Sequence, residues 1–128
     1  CRIMPYCEPN WPMKLPWPPP SPDGFFAEST DSLVIRQGRA ETRFILIGSA
    51  ERVTVFVKNT GQSPISAWLQ NSPNAIDTVD DPQVIDLAPG EIKAVVPYLF
   101  SRFIRLAAAG PDGGQAFVWF QIQRMCRA

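Results

Sequence analysis

Turn-forming residues interrupt this chain at short and regular intervals from Gly48 onwards. A short apolar run ends in Gly, Pro, Asn, Asp or Ser about every eight to twelve residues. No window keeps the 3.6-residue period of an amphipathic helix over three turns. We therefore predict an all-β antiparallel sandwich of about eight strands, of jelly-roll or immunoglobulin-like type. The predicted strands cover residues 33–36, 42–47, 53–58, 65–70, 83–87, 91–96, 103–108 and 116–123.

The first 24 residues have a different texture, because they contain eight of the 14 prolines of the chain. Proline fixes φ and lacks the N–H group that a helix or a central strand needs. We expect residues 1–24 to form an extended connector arm and residues 25–128 to form the sandwich domain. At about 3.1 Å per residue, such an arm spans roughly 70 Å and reaches another molecule.

Several predicted strands are apolar on both faces. In the run 53–58 the valines alternate with other residues, which places Phe56 on the outer face. In the last strand Phe117 and Trp119 share one face while the opposite face is also apolar, and Phe44 begins a third run of this kind. A sandwich in water needs a covered or polar outer face, so either the chain's own loops and arm or neighbouring subunits cover these residues. We take Phe44, Phe56, Phe117 and Trp119 as candidates for a subunit interface.

The three cysteines, Cys1, Cys7 and Cys126, lie at the two extremities of the chain. Because their number is odd, at least one is free or pairs with another molecule. Three unconnected thiols in an intracellular protein are one interpretation. We favour cross-links between subunits in an oxidising, extracellular setting, since thiols kept for packing would stand inside the strands.

Charge and hydropathy exclude several partners. Twelve basic and twelve acidic residues cancel, and no run of like charge stands out. Neither nucleic acid nor an anionic membrane surface is therefore an expected partner. No stretch approaches the roughly 20 apolar residues that cross a bilayer, so we expect no membrane span.

Catalytic chemistry has few candidates in this sequence. The chain has no histidine, the commonest general base and a frequent zinc ligand. The glycine-rich segment 110–114 lacks the following lysine and helix of a phosphate-binding loop, and it predicts a hairpin turn. We expect no enzymatic activity, no cofactor and no metal site.

The sequence contains two weaker binding signals. One is an acidic group that consists of Asp77, Asp80 and Asp81, with Asp86 beyond them. We favour a solvated turn over a calcium site for this group, because no glycine-punctuated loop or bidentate Glu accompanies it. Trp11, Trp17 and Trp68 are possible platforms for carbohydrate, although packing of the core and the arm is the simpler use of these rings.

Five segments between residues 56 and 107 resemble an uncharacterised small domain family of spore-forming and related Gram-positive bacteria, over roughly residues 25–124. They are 56–61 (FVKNTG), 69–73 (LQNSP), 87–91 (LAPGE), 96–97 (VP) and 103–107 (FIRLA). The architecture is also similar to the subunits of bacterial endospore appendages, jelly-roll domains with a cysteine-bearing N-terminal connector. That resemblance implies that Cys1 and Cys7 take the role of the connector and Cys126 the receiving role in another subunit.

The leading hypothesis is a structural subunit of an extracellular filament at a cell or spore surface, with copies of itself as partners. The arm would lie in grooves between subunits, anchored by Trp11 and Trp17, because its prolines prevent a continuous strand ladder. The alternative is a cell-surface module that binds carbohydrate or protein on a proline-rich stalk, for which Cys1 would suit a lipid anchor.

Overall fold

A computed structural model describes residues 26–124 of the chain. This part contains nine strands and no helix, and hence no helix of the length and apolarity that spans a membrane. The strands are β1 (Phe26–Val34), β2 (Arg39–Glu41), β3 (Ile45–Leu46), β4 (Arg52–Asn59), β5 (Ile65–Ser72), β6 (Val79–Leu87), β7 (Ile92–Val95), β8 (Phe103–Ala109) and β9 (Gln115–Gln123). The predicted connector arm, its two tryptophans and all three cysteines lie outside the described residues.

The strands form two antiparallel sheets. The first has the order β1-β9-β4-β7, and the second has the order β2-β8-β5-β6, with β3 also pairing with β8. When β2 and β3 are counted as one interrupted strand, the chain moves between the sheets in the order of a jelly roll. The predicted all-β sandwich is therefore confirmed, and the jelly-roll alternative is the correct one.

The core lies between the sheets and follows the predicted alternation. Val53, Val55 and Val57 of β4 are buried, as are Phe120 and Ile122 of β9. The second sheet contributes further buried apolar residues, among them Ala67, Leu69, Ile104, Leu106 and Ala108. Burial of each large apolar side chain contributes about 1.5–3 kcal/mol, so these facing rows hold the two sheets together.

The predicted strand 42–47 is interrupted in the structure. Thr42 donates its N–H to the carbonyl of Leu106 at 2.9 Å, but the N–H of Leu106 donates to the Thr42 hydroxyl at 3.0 Å. A side-chain oxygen thus takes the place of a backbone carbonyl in the pairing with β8. Regular pairing stops at Thr42 and resumes at β3, so only Ile45–Leu46 of the predicted strand is a strand, and β2 (Arg39–Glu41), which precedes it, was not predicted.

Two edge strands are longer than predicted. β1 begins at Phe26, although the run up to Ser32 is mostly polar, because a strand with a neighbour on one side only buries little of its length. β6 includes Asp80, Asp81 and Pro82, residue types that strands usually lack. An edge position tolerates the proline, whose missing N–H costs no ladder bond there.

The two ends of the sandwich differ. At one end, here called the turn pole, lie the short connections after β1, β4, β6 and β8. Gln37 and Gly38 have φ of 55° and 84° and form a two-residue hairpin turn, in which Arg36 and Arg39 exchange hydrogen bonds of 3.2 Å. The predicted hairpin turn at 110–114 joins β8 to β9 at this pole.

The buried side chain of Asn59 stabilises the turn pole by hydrogen bonds. It is fully buried; the amide donates to the carbonyls of Ser63 and Leu87 at 2.8 and 3.0 Å, and its oxygen accepts the N–H of Gly61 at 2.9 Å. One side chain therefore ties the connection after β4 to the end of β6.

The opposite end, here called the entry pole, contains the connections after β3, β5 and β7. β1 begins there and β9 ends there, since Phe26 pairs with Gln123 and Gln123 pairs with Arg52 on its other side. Residues 1–25 therefore join the sandwich at this pole.

Candidate functional site

An outer aromatic face, defined by Phe56, Phe117 and Trp119, lies on the first sheet. All three side chains are half-buried and alternate with buried core residues of β4 and β9. Phe56 stands opposite Trp119 in the register, and the rings of Phe117 and Trp119 meet edge to face with centroids 4.8 Å apart. Three of the four residues predicted to face outward for a subunit interface are thus brought together.

Further apolar and polar residues frame this face. On β7, Ala94 lies beside Phe56, and Ile92, with an exposed fraction of 52%, lies beside Lys58. Towards the entry pole the face becomes polar, where Gln121 donates to Glu28 at 3.1 Å. An apolar centre with a polar border is the usual anatomy of a protein–protein interface.

Phe44 occupies a different surface. It lies between β2 and β3 on the outer side of the second sheet, with its ring 6.4 Å from that of Phe103 and the Arg105 guanidinium 4.6 Å from its centroid. It is not part of the outer aromatic face. The interface role of the four residues stays a prediction.

A polar ladder crosses the outer side of the second sheet. The guanidinium of Arg39 lies 5.3 Å from the ring of Trp68, whose indole N–H donates to Asp80 at 3.2 Å. Gln70 also donates to Asp80 at 2.8 Å and accepts from Arg105 at 2.8 Å. These contacts join four strands, β2, β6, β5 and β8, in one continuous row, and Trp68 is the one tryptophan considered for carbohydrate that lies in the described residues.

Asp81 has a structural role that the sequence did not indicate. It is 2% exposed, and its Oδ2 accepts the N–H groups of Tyr98 and Leu99 at 2.8 and 3.2 Å. Its Oδ1 accepts the N–H of Gln83 at 3.3 Å, and Asn71 donates to Oδ2 at 3.4 Å. Burial raises the pKa of Asp81, but the hydrogen bonds from Leu99, Tyr98, Gln83 and Asn71 together lower that pKa below its usual value. Asp81 therefore remains a carboxylate that fixes the connection between β7 and β8.

The acidic group as a whole is dispersed by the fold. Asp77 lies in the exposed connection between β5 and β6, in agreement with a solvated turn. Asp80 and Asp81 instead lie in strand β6 with different hydrogen-bond partners, Asp80 exposed and Asp81 buried, so the predicted turn is wrong for both. Among residues 26–124, no three carboxylates or thiols are close enough to hold a metal ion.

A cleft of about 280 Å³ opens at the entry pole beside the connection that Asp81 fixes. We call it the entry cleft. It is lined by Ile47, Glu51, Arg52, Val53, Thr54, Val96, Pro97, Tyr98, Leu99 and Phe100. Tyr98 and Phe100 have exposed fractions of 74% and 69%, which is unusual for aromatic side chains.

The sequence reasoning missed the entry cleft. Its signal is the apolar run 96–100, which continues past the end of a predicted strand into a connection that contains a proline. A loop would ordinarily be polar there, so an apolar run in a connection indicates a surface that something covers.

Two antiparallel sheets in jelly-roll order, with an aromatic outer face on one and a polar ladder on the other, define this chain as a β-sandwich domain. It belongs to the DUF6385 family, a domain of unknown function, whose model matches residues 47–124. The predicted resemblance to an uncharacterised family is thereby confirmed, while an origin in spore-forming bacteria stays a prediction. No curated protein matches the sequence.

Solved structures share the fold at low identity. The exported protein XepA of PBSX is 14% identical with a TM-score of 0.53; the match covers 75% of this chain and 37% of XepA, so the chain spans little more than a third of that protein. A subunit of the Bacillus endospore appendages, described as disulfide-linked pili, is 11% identical with a TM-score of 0.46, over 77% of this chain and 87% of its own. A carbohydrate-binding module of the CBM4 type is 11% identical with a TM-score of 0.40, over 80% and 81%. Identities this low concern the fold alone.

Proposed function

We propose that this chain is a structural subunit of an extracellular protein filament at a cell or spore surface, with no enzymatic activity. The observation that supports the proposal is the outer aromatic face, where Phe56, Phe117 and Trp119 form an apolar centre on a sheet that the described residues leave uncovered. In a homopolymer, a neighbouring copy of the chain would cover this face.

The energetics favour association through this face. Aromatic side chains carry a large part of the binding energy in protein interfaces, and truncation of a central one costs about 2 kcal/mol or more. The half-buried rings are already held by the sheet and by the edge-to-face contact of Phe117 with Trp119, so binding orders few further side chains.

The arm and the cysteines supply the second part of the proposal. A patch that meets a different patch on an identical neighbour builds an open helix unless the rotation closes. In this scheme residues 1–24 dock between subunits through Trp11 and Trp17, and Cys1 or Cys7 forms a disulfide with Cys126 of another subunit. Apolar packing sets the geometry, and the disulfide resists dissociation.

The test compares Trp119→Ser and Phe56→Ser with the wild-type chain by sedimentation and negative-stain electron microscopy. Both side chains point away from the core, so the variants should stay folded by circular dichroism and yet form no filaments. Val84→Ser is the control, since Val84 is 60% exposed in β6 of the other sheet. Filaments of normal length from both aromatic variants would refute the interface role of the outer aromatic face, and a wild-type chain that forms no filaments would refute the proposed function.

A second candidate is a cell-surface module that binds carbohydrate or protein, and the polar ladder around Trp68 favours it. Its planar amide, carboxylate and guanidinium groups beside an indole ring suit hydroxyl-rich ligands. A non-reducing gel separates the candidates. A ladder of oligomers that collapses with reductant supports the filament subunit, whereas a monomer that partitions into detergent supports an anchored module.

A further inference from the structure

We propose that the entry cleft binds the proline-rich segment 11–22 of a second copy of this chain. The inference rests on the proposed function and adds to it the place on the sandwich where the arm of a neighbour is received.

The lining of the cleft fits a proline-rich ligand. Extended proline-rich segments bind in shallow grooves lined by aromatic side chains, where the rings pack against the pyrrolidine faces. Tyr98 and Phe100 supply exposed rings here, and Val96, 55% exposed, widens the apolar floor. Segment 11–22 carries six prolines and two tryptophans in the sequence WPMKLPWPPPSP.

The polar groups of the two partners are complementary as well. Prolines lack the N–H group, so a proline-rich segment presents more carbonyl acceptors than donors. The cleft includes Arg52, whose guanidinium carries only donors, and Tyr98, whose hydroxyl can donate.

The cleft is held in its shape before any ligand arrives. Asp81 fixes the backbone of Tyr98 and Leu99, and Gln83 donates to the carbonyl of Val96 at 2.6 Å. A connection whose backbone is already held by hydrogen bonds and whose aromatic rings are exposed loses little entropy on binding.

Geometry favours a neighbour's arm over the chain's own. Phe26 and Arg52 are separated by one strand, a distance of about 10 Å. Trp11 and Trp17 precede Phe26 by 15 and 9 residues, and prolines stand between them and the sandwich. If this segment is extended, as its prolines predict, Trp11 and Trp17 lie roughly 28–46 Å along the chain from Phe26 at about 3.1 Å per residue, well beyond the cleft of their own sandwich.

Isotope-coded cross-linking tests the proposal in the full chain. Phe100 is replaced by the photo-cross-linker p-benzoyl-phenylalanine, and unlabelled and ¹⁵N-labelled copies are mixed before assembly. We expect cross-linked peptides that join position 100 of one isotope to residues 11–22 of the other. The same replacement at Val84, on the other sheet, should give no such product.

Each other outcome overturns the inference. Cross-links to residues 11–22 within one isotope would mean that the arm occupies its own cleft, and cross-links elsewhere or none would mean that the cleft has another role. Electron microscopy of the same samples distinguishes the two proposals, because filaments without these cross-links refute the cleft alone. As a second measurement, Phe100→Ser should raise the critical concentration for assembly about tenfold with unchanged folding, and an unchanged value would contradict the inference.

Discussion

Replacing Asp81 by asparagine should destabilise the sandwich at neutral pH by much more than the same replacement at an exposed aspartate does. Asparagine has nearly the same shape, but it has one acceptor oxygen where aspartate has two, and it carries no charge. If the amide oxygen keeps the bonds from Tyr98 and Leu99, its NH₂ group faces the N–H of Gln83, which Oδ1 accepts at 3.3 Å in the wild-type chain.

The magnitude follows from these contacts. Hydrogen bonds to a charged group contribute about 1.5–3 kcal/mol and neutral ones about 0.5–1.5 kcal/mol. The bonds from Tyr98, Leu99 and Asn71 to Oδ2 become neutral, and the two bonds of 3.3 Å from the backbone and side chain of Gln83 to Oδ1 are lost. The free energy of unfolding should therefore fall by about 3 kcal/mol. For a domain of this size the loss corresponds to about 10–20 °C in Tm.

The effect should depend on pH in a defined direction. The pKa of Asp81 is lower in the folded chain than in the unfolded one, so its stabilisation is complete above about pH 5 and is lost as the pH falls through the folded pKa. The difference between wild type and Asp81→Asn should therefore be largest near neutrality and shrink in acid. The variant lacks this titration.

Urea unfolding at a series of pH values measures both quantities. Asp86→Asn is the matched control, because Asp86 lies in the same strand, is exposed, and accepts one hydrogen bond from Ser66 at 2.8 Å. Equal stability of Asp81→Asn and wild type at neutral pH, or a difference that persists unchanged in strong acid, would refute the reasoning.

Two further predictions concern the turn pole and the C-terminal thiol. Asn59→Ala removes three hydrogen bonds of a fully buried side chain and should lower the free energy of unfolding, measured in urea, by about 2–4 kcal/mol. The exposed Thr60→Ala should change it little, and similar values for both variants would contradict the assigned role of Asn59. Cys126→Ser should still permit assembly but lower the temperature at which filaments dissociate under non-reducing conditions, and unchanged heat resistance would show that this thiol does not cross-link subunits.

The central strands were predictable because they have neighbours on both sides. Each outward residue of β4 and β9 is followed by a residue buried between the sheets, so the period of two is visible in the sequence and predicted both the core valines and the outer aromatic face. The jelly-roll order was not settled by this pattern, since an immunoglobulin-like sandwich has the same local alternation.

The edges and the entry cleft escaped prediction for physical reasons. β1 buries only Leu33 completely, so its polar sequence carries no strand signal. β6 carries Asp81 inside an edge strand, where the carboxylate is satisfied by the backbone of a connection 17 residues further on. Such long-range hydrogen bonding leaves no local trace, and the grouping of Tyr98 and Phe100 with Arg52 arises only from the tertiary fold.

Because the two poles differ, the two ends of this sandwich could serve separately for attachment and for display of a foreign peptide. Strands of nine residues separate the poles by about 30 Å. The exposed tip of the hairpin at 111–113 lies at the pole remote from the entry cleft. A peptide epitope grafted at that tip would be displayed at the end of the sandwich opposite to the entry cleft and to Phe26, where the described chain begins. It would therefore not obstruct the surface that we propose for binding a neighbour's arm.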